Sequence, residues 1–541
     1  MKPIEGYDKL RGGYYTPDTL AAFLTDWAIR TPEDRVLEPS CGDGSFLRAI
    51  TARLRALGCG TAEIYQHVLG IELDQAEAAK AEVWGPRVLC GDFFTYYQHY
   101  IDGKTQFDVI VGNPPFIRYQ NFTEAYRAAA FALLEAHGFH PNRLTNIWLP
   151  FLLLSCKALT PGGRVGMVIP AELFQVDYAA EARQFLSAYF QELNLVTFQR
   201  LVFPDIQQEV ILLLGQRRSG RQGIRVISLE NDQTLGPASL RQAEVKRLDH
   251  SQDKWVKYYL TQAELDLLSQ LGADRRISDA ADLFEVNVGL VSGENTFFVV
   301  NRETVDTHSL GGSVLPIISR SEQLKGLRLT EEDYDALAAA GKKVFFFAPG
   351  DRPFEELSGG EQRYILLGEG EKYNENYKCR IRPRWYHVPL TWQPEAFLIR
   401  QAHACPRMIL NEKGALVTDT LHKVRFRPGV SGPQTAAAFL NTYTFALSET
   451  IGRSYGGGVL TFEPGEIRRM RIPMVLADQL DLDQMDLWLR QGDMGKILTH
   501  TDDVLLRRGL GLSSREVDLL HSIWGKLQGR RIARKSQKPH R

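Results

Sequence analysis

The chain has no CxxC pair. Its six cysteines stand apart at positions 41, 59, 90, 156, 379 and 405, which suggests neither a disulfide framework nor a zinc site. A protein of the reducing cytoplasm that needs no metal is the expectation. The opening MKPIEGYDKL lacks the apolar core of a signal peptide. The longest apolar run, residues 148–154, is far too short to span a bilayer and predicts a buried helix, so no membrane partner is expected. An excess of one charge is also missing, since 64 basic residues against 65 acidic ones leave a formal net charge of −1. Any nucleic-acid affinity must therefore come from local clusters of Lys and Arg. Repeats and low-complexity tracts are absent. The 541 residues suffice for roughly two to four domains with substantial cores.

The most informative stretch is residues 107–116, FDVIVGNPPF, an apolar run with strand character that ends in Asn113, Pro114, Pro115 and Phe116. An amino group conjugated to a purine or an amide is a poor nucleophile because its lone pair is delocalised. Two acceptors, the Asn113 side-chain oxygen and the Pro114 carbonyl, can take both hydrogens and draw the nitrogen toward tetrahedral geometry. Pro115 holds the carbonyl before it in an extended pose, because its ring restricts the preceding residue. Phe116 offers a flat face on which a base can stack, worth roughly 1–3 kcal/mol. This points to methyl transfer onto an amino nitrogen.

Upstream, residues 36–46 read as a short strand, a loop with Gly42 and Gly44, and a helix beginning near Ser45. Glycines there let the backbone turn tightly and approach a ligand closely. A second strand, residues 67–71, leads to Glu72, placed to accept from ribose hydroxyls. A third, residues 87–90, leads to Gly91, Asp92 and Phe93, where a carboxylate can accept from an adenine amino group and an aromatic can flank the ring. Ligands in doubly wound sheets sit outside the carboxyl ends of the strands, so four successive tips would form one site.

In this order the motifs resemble the TaqI-like gamma group of site-specific DNA adenine methyltransferases. The resemblance runs from GGYYTP (residues 12–17) through LEPSCGDGSF, GIELD, GDFF and NPPF. It continues in LVFPDIQQEVILLL (201–214), VGLVSGENTFFV (288–299) and RSYGGGVLTFEPGEIRRMRIP (453–473). Phe116 stands where many members carry tyrosine. The resemblance implies S-adenosylmethionine as cofactor, with contacts from Tyr15, Thr16, Pro17, Glu38, Pro39, Cys41, Gly42, Gly44, Glu72, Asp92 and Phe93. It also implies double-stranded DNA as partner, a flipped adenine stacked on Phe116 and Phe203, and a role in restriction-modification, with a cognate endonuclease encoded separately. Cys41 is expected to pack beside the cofactor, since this chemistry needs no thiol.

Alternating strand and helix patterns, with later strands at 164–169, 193–199 and 209–215, predict a Rossmann-like doubly wound catalytic domain over residues 1–240. A mixed α/β target-recognition domain is expected over 241–475, and a helical extension with a basic tail over 476–541. In 378–385 the cations Lys378, Arg380, Arg382 and Arg384 fall on alternate positions, so an extended segment would point all four to one face. Lys423, Arg425 and Arg427 alternate likewise. Both segments are DNA-binding candidates, with Arg453 and Tyr455. Ser513 followed by Glu516 reads as a capping box opening a last helix. Enzymes that methylate ribosomal RNA guanine or a protein glutamine share NPP-aromatic motifs, and a non-catalytic DNA specificity subunit could keep only the fold. A fused nuclease is disfavoured because no acid-plus-lysine pattern follows Asp205. A cytosine C5 methyltransferase is disfavoured because the only adjacent Cys and Pro, Cys405 and Pro406, lie far from the cofactor motifs.

Overall fold

The apolar run before the NPPF loop forms strand β4 (Phe107–Gly112), buried on both faces except at Asp108. The computed structural model describes residues 16–116, 123–199, 202, 209–218, 222–251, 253–390, 392–455 and 458–533. These divide into two compact units, Met1–Leu265 and Asp266–Arg541.

The first unit is built on one eight-stranded sheet. Its strands besides β4 are β1 (Val36–Glu38), β2 (Val68–Glu72), β3 (Arg87–Cys90), β5 (Leu159–Pro170), β6 (Glu192–Phe198), β7 (Val210–Gln216) and β8 (Gly223–Leu229), in the order β3-β2-β1-β4-β5-β7-β6-β8. Strand β1 pairs in parallel with β2 through Leu37 and Leu69, and with β4 through Leu37 and Ile110. The order thus reverses between β1 and β4, and a crevice opens at the carboxyl ends of strands at such a switch point. β7 runs antiparallel to both β5 and β6. Only residues 199–209 separate β6 from β7, and a parallel return needs a crossover of about a dozen residues or more.

Helices Asp18–Ala28 and Ser45–Ala56 bury Leu20, Leu24, Ile50 and Leu54 in the same core as Val109, Ile110 and Val111. The predicted buried helix spans Trp148–Lys157 and hides every residue from Trp148 to Cys156. Polar pairs pin the strand starts. Arg164 on β5 donates to both oxygens of Asp34, at 2.8 and 2.9 Å, in a buried contact just before β1.

The second unit contains a five-stranded sheet in the order Phe284–Val288, Leu421–Phe426, Ala396–Ile399, Met408–Asn411 and Arg328–Leu329. Only the last pairing is parallel. A four-stranded sheet through Phe345–Phe347 packs in an aromatic cluster with Phe297, Phe298, Tyr364 and Trp385. Helices Leu482–Arg490, Met494–Thr501 and Ser514–Ala533 close the chain. The last one opens on the expected capping box, with Ser513 and Glu516 bonding each other's backbone amides. Among the described residues, no helix is long and apolar enough to cross a membrane.

Candidate active site at the strand tips

The loop after β1 is shaped by its glycines. Gly42 has φ +51° and Gly44 has φ +89°, a region that side chains strain to enter. A Cβ on Gly44 would come within 2.5 Å of Trp84 Cδ1 and 2.9 Å of Ala81 Cα, whereas one on Gly42 would meet nothing within 4 Å. The loop is thus wedged against Trp84 on one side and borders open space on the other. The Trp84 indole donates to the Asp43 carbonyl at 3.3 Å. Asp43 in turn accepts from the Ser45 amide and hydroxyl, opening the helix.

Glu72 sits at the end of β2 as expected. Its Oε2 accepts from the Gly42 amide at 2.8 Å and its Oε1 from the Asp74 amide at 2.9 Å. Burial raises its pKa, and those amide bonds offset part of the rise. Glu38, at the end of β1, is almost wholly buried, and its Oε2 has no hydrogen-bond partner among the described residues. Burial first, then the negative charges of Glu72 and Asp43, hold its carboxyl well above the usual range. Cys41 is buried, and its thiol is pushed up by burial and then by Glu38 and Glu72. A Cβ on Gly70 would lie 3.0 Å from Leu47 Cδ1 and 3.2 Å from Cys41 Sγ, so β2 packs tightly against both side chains there.

At the end of β4 the Asn113 side-chain nitrogen donates to Thr16 Oγ1 at 3.1 Å. The Ser40 hydroxyl donates to the Asn113 carbonyl at 3.4 Å. Pro39 lies beside this tip, since a Cβ on Gly112 would sit 3.5 Å from its Cδ. Pro17 precedes helix Asp18–Ala28, so Thr16 reaches the site from the mouth of that helix. Pro114 and Phe116 are buried and Pro115 is half-buried.

The tip of β3 departs from expectation. Asp92 caps the short helix Phe93–Tyr96, accepting from the amides of Phe94 and Thr95. It also bonds Tyr126, whose hydroxyl is pushed up by burial and by this carboxylate. That cap turns the Phe93 ring inward, where it stacks on Phe151 at 4.9 Å with 16° between the planes. The ring expected to flank an adenine is core in this structure. Tyr15 and Phe203 lie outside the described residues. Sequence reasoning gave no role to Ser40, Trp84 or Tyr126. All three sit next to recognised motif residues, but only Ser40 falls within a motif string.

Of the two basic segments, the first is not extended. Residues Tyr377–Arg380 wind into a helical turn, with the Asn376 carbonyl accepting from the amides of Cys379 and Arg380 at 2.9 and 2.8 Å. Cys379 within this turn is buried in the aromatic cluster. Lys378 and Arg380 remain exposed. Arg382 instead donates to the carbonyls of Ser292 and Val291, and Arg384 pairs with Asp351. The second segment is a strand as expected, with Lys423 and Arg425 lying over the Trp392 ring at 4.3 and 5.0 Å. Arg425 also pairs with Glu285. Lys423 is buried, whereas Arg425 and Arg427 are exposed, so the three do not share one open face. Arg453 pairs with Glu466, and Tyr455 ends the strand Arg453–Tyr455.

Comparison with known proteins matches both parts of the chain. The family described as Eco57I restriction-modification methylase matches residues 70–203, and the C-terminal domain of the type II methyltransferase M.Eco57I matches residues 252–506. The type II methyltransferase M.AccI of Acinetobacter calcoaceticus is 22% identical over 87% of this chain and 87% of its own length. M.TthHB8I of Thermus thermophilus is 30% identical over 41% of this chain and 48% of its own length. Among solved structures, the type IIL restriction-modification enzyme MmeI in complex with DNA superposes with a TM-score of 0.59. It is 9% identical, covering 95% of this chain and 75% of that one, a likeness of fold alone. Together with the sheet order, the matches to both parts of the chain support a methyltransferase of the restriction-modification type.

Proposed function

We propose that the chain is a TaqI-like, site-specific DNA adenine methyltransferase that transfers a methyl group from S-adenosylmethionine to the 6-amino nitrogen of an adenine swung out of duplex DNA. The observation that carries this reading is Asn113 at the end of β4, its amide nitrogen on Thr16, beside the acidic tips of β1 and β2.

The residues present fit S-adenosylmethionine, which when bound supplies an electrophilic methyl group on a sulfonium cation. Glu38 has a buried oxygen without a partner among the described residues. The negative charges of Glu72 and Asp43 add to the cost of ionising Glu38, which a cationic ligand relieves. Open space beside Gly42 lets the ligand approach the backbone. Glu72 then has lone pairs left for ribose hydroxyls, and Thr16, Pro17, Pro39, Cys41 and Gly44 shape the wall.

With the Asn113 nitrogen engaged by Thr16, its oxygen is the acceptor for one amino hydrogen, and the Pro114 carbonyl takes the other. Pro115 fixes that carbonyl, and Phe116 with Phe203 provides stacking that offsets the few kcal/mol, roughly, that base flipping costs. Target recognition falls to residues 241–475, where exposed Lys378, Arg380, Arg425 and Arg427 would meet phosphates, and residues 476–541 follow as an extension, helical at Ser514–Ala533. The partner nuclease is a separate chain, and the setting is the cytoplasm.

Unmethylated duplex DNA, ribosomal RNA and protein should be offered in parallel with tritiated cofactor, and the labelled DNA digested to nucleosides. Label in N6-methyladenine is expected. Asn113→Ala should lower that transfer by about a hundredfold or more and leave cofactor affinity within about threefold. Label confined to RNA or protein, or Asn113→Ala turnover within about tenfold of wild type, would overturn the proposal.

A further inference from the structure

We propose that Thr16 is a positioning residue for the transfer step: its hydroxyl sets the orientation of the Asn113 amide, so that the carboxamide oxygen and not the nitrogen faces the substrate. This rests on the reading of Asn113 given above. An asparagine amide is nearly symmetric in shape, and rotation by half a turn exchanges an acceptor for a donor pair. A donor facing an amino group would repel its hydrogens, so the tip of β4 works only if something discriminates the two orientations. In this structure that discriminator is the Asn113 nitrogen's bond to Thr16 Oγ1, 3.1 Å long. Thr16 is itself buried, 6% exposed, so water competes poorly for the bond.

The arrangement has a second consequence. Thr16 lies 97 residues before Asn113, at the mouth of helix Asp18–Ala28, which packs against β4 and β5. The helix therefore presents the hydroxyl from a rigid support. Ser40, on the loop after β1, holds the Asn113 backbone carbonyl from the other direction. Side chain and backbone of the same residue are fixed by two different segments.

The test uses the full chain, duplex DNA amplified in vitro as acceptor, and S-adenosylmethionine. Thr16→Val keeps the shape and removes the hydroxyl. It should lower kcat at saturating cofactor and DNA by about tenfold or more, the value of one hydrogen bond. Because Val keeps the shape of the wall, calorimetric affinity for S-adenosylmethionine should fall by less than kcat does, and Thr16→Ser should restore most of the turnover. In the ligand-free protein, urea unfolding of Thr16→Val, Asn113→Ala and the double variant should be non-additive, because the second substitution removes a bond already lost. A loss confined to cofactor affinity with kcat unchanged, or additive unfolding energies, would overturn the positioning role. If Asn113→Ala itself keeps its turnover, the proposed function fails first; if only Thr16→Val does, this inference alone fails. Should Thr16→Val not fold, Thr16→Ala and Thr16→Ser carry the same comparison.

Discussion

Glu72 and the Gly42 amide are joined by a 2.8 Å hydrogen bond that ties the tip of β2 to the loop after β1. The same carboxylate takes the Asp74 amide with its other oxygen. Glu72 is therefore a brace for the glycine loop, beside the ligand role proposed for it. Bonds from amides to a carboxylate are stronger than neutral ones, about 1.5–3 kcal/mol each.

Removing the brace should be felt in two measurements. Glu72→Ala should weaken S-adenosylmethionine binding by about tenfold or more and lower unfolding stability by about 1–3 kcal/mol. Glu72→Gln, which keeps one acceptor oxygen, should fall between. Isothermal titration and urea unfolding read the two effects separately. An unchanged titration curve for Glu72→Ala would reject the ligand role, and an unchanged midpoint would reject the brace.

The two glycines of the loop should respond differently to the same substitution. Gly44→Ala meets both a positive φ and the clash with Trp84 and Ala81, and should cost about 2–5 kcal/mol. Gly42→Ala meets the φ alone, with nothing within 4 Å of the new carbon, and should cost about 1–2 kcal/mol. Denaturant midpoints at fixed slope decide it. Equal losses at both positions would show that Trp84 yields to the new methyl group.

What could be read in the sequence is what short-range chemistry dictates. Strand β4 announces itself because a central parallel strand is buried on both faces and must be apolar throughout, and the two prolines end it without ambiguity. The place of Glu72 at the end of β2 was legible because the apolar run before it stops there. Phe93 was not, because its direction depends on Asp92 spending its carboxylate on a helix cap. The segment 378–384 has a perfect alternation of charge, yet Tyr377–Arg380 winds into a helical turn, and alternation alone does not decide between the two backbones. The antiparallel direction of β7 against β6 follows from their short connection, but its position between β5 and β6 is a property of the whole sheet that no local pattern carries. The Thr16–Asn113 contact joins two motifs that were each legible, but nothing in either predicts the bond between them.

In the second unit, Arg531 on helix Ser514–Ala533 and Glu449 on helix Thr442–Ile451 form a buried two-pronged ion pair, at 2.9 and 2.6 Å. The guanidinium also donates to the carbonyls of His403 and Gly458. Arg531→Met leaves Glu449 charged and alone, which should cost about 3–5 kcal/mol. Adding Glu449→Leu removes the stranded charge, and the pair should recover about 2 kcal/mol or more. Unfolding of the single and double variants gives the coupling, and additive losses would mean that the two charges do not depend on each other.

Glu38 should leave a signature in the pH dependence of stability. Burial and its acidic neighbours raise the folded-state pKa of this carboxyl. Between its ordinary value and that raised one, the folded protein keeps a proton that the unfolded chain has released. Folded molecules then bind more protons than unfolded ones, so stability falls as pH rises through the window, by up to about 1.4 kcal/mol per pH unit. Glu38→Gln cannot titrate and should flatten that slope above the ordinary carboxyl range, so that the variant is the more stable protein at the alkaline end and the difference shrinks toward the acid end. S-adenosylmethionine should act in the same direction on the wild type, because a cation beside the carboxylate favours its ionised form and narrows the window. The effect should disappear in Glu38→Gln. Chemical denaturation across pH, with and without cofactor, measures both; a wild-type slope equal to that of Glu38→Gln in the ligand-free protein would mean that this carboxyl stays ionised in the folded state.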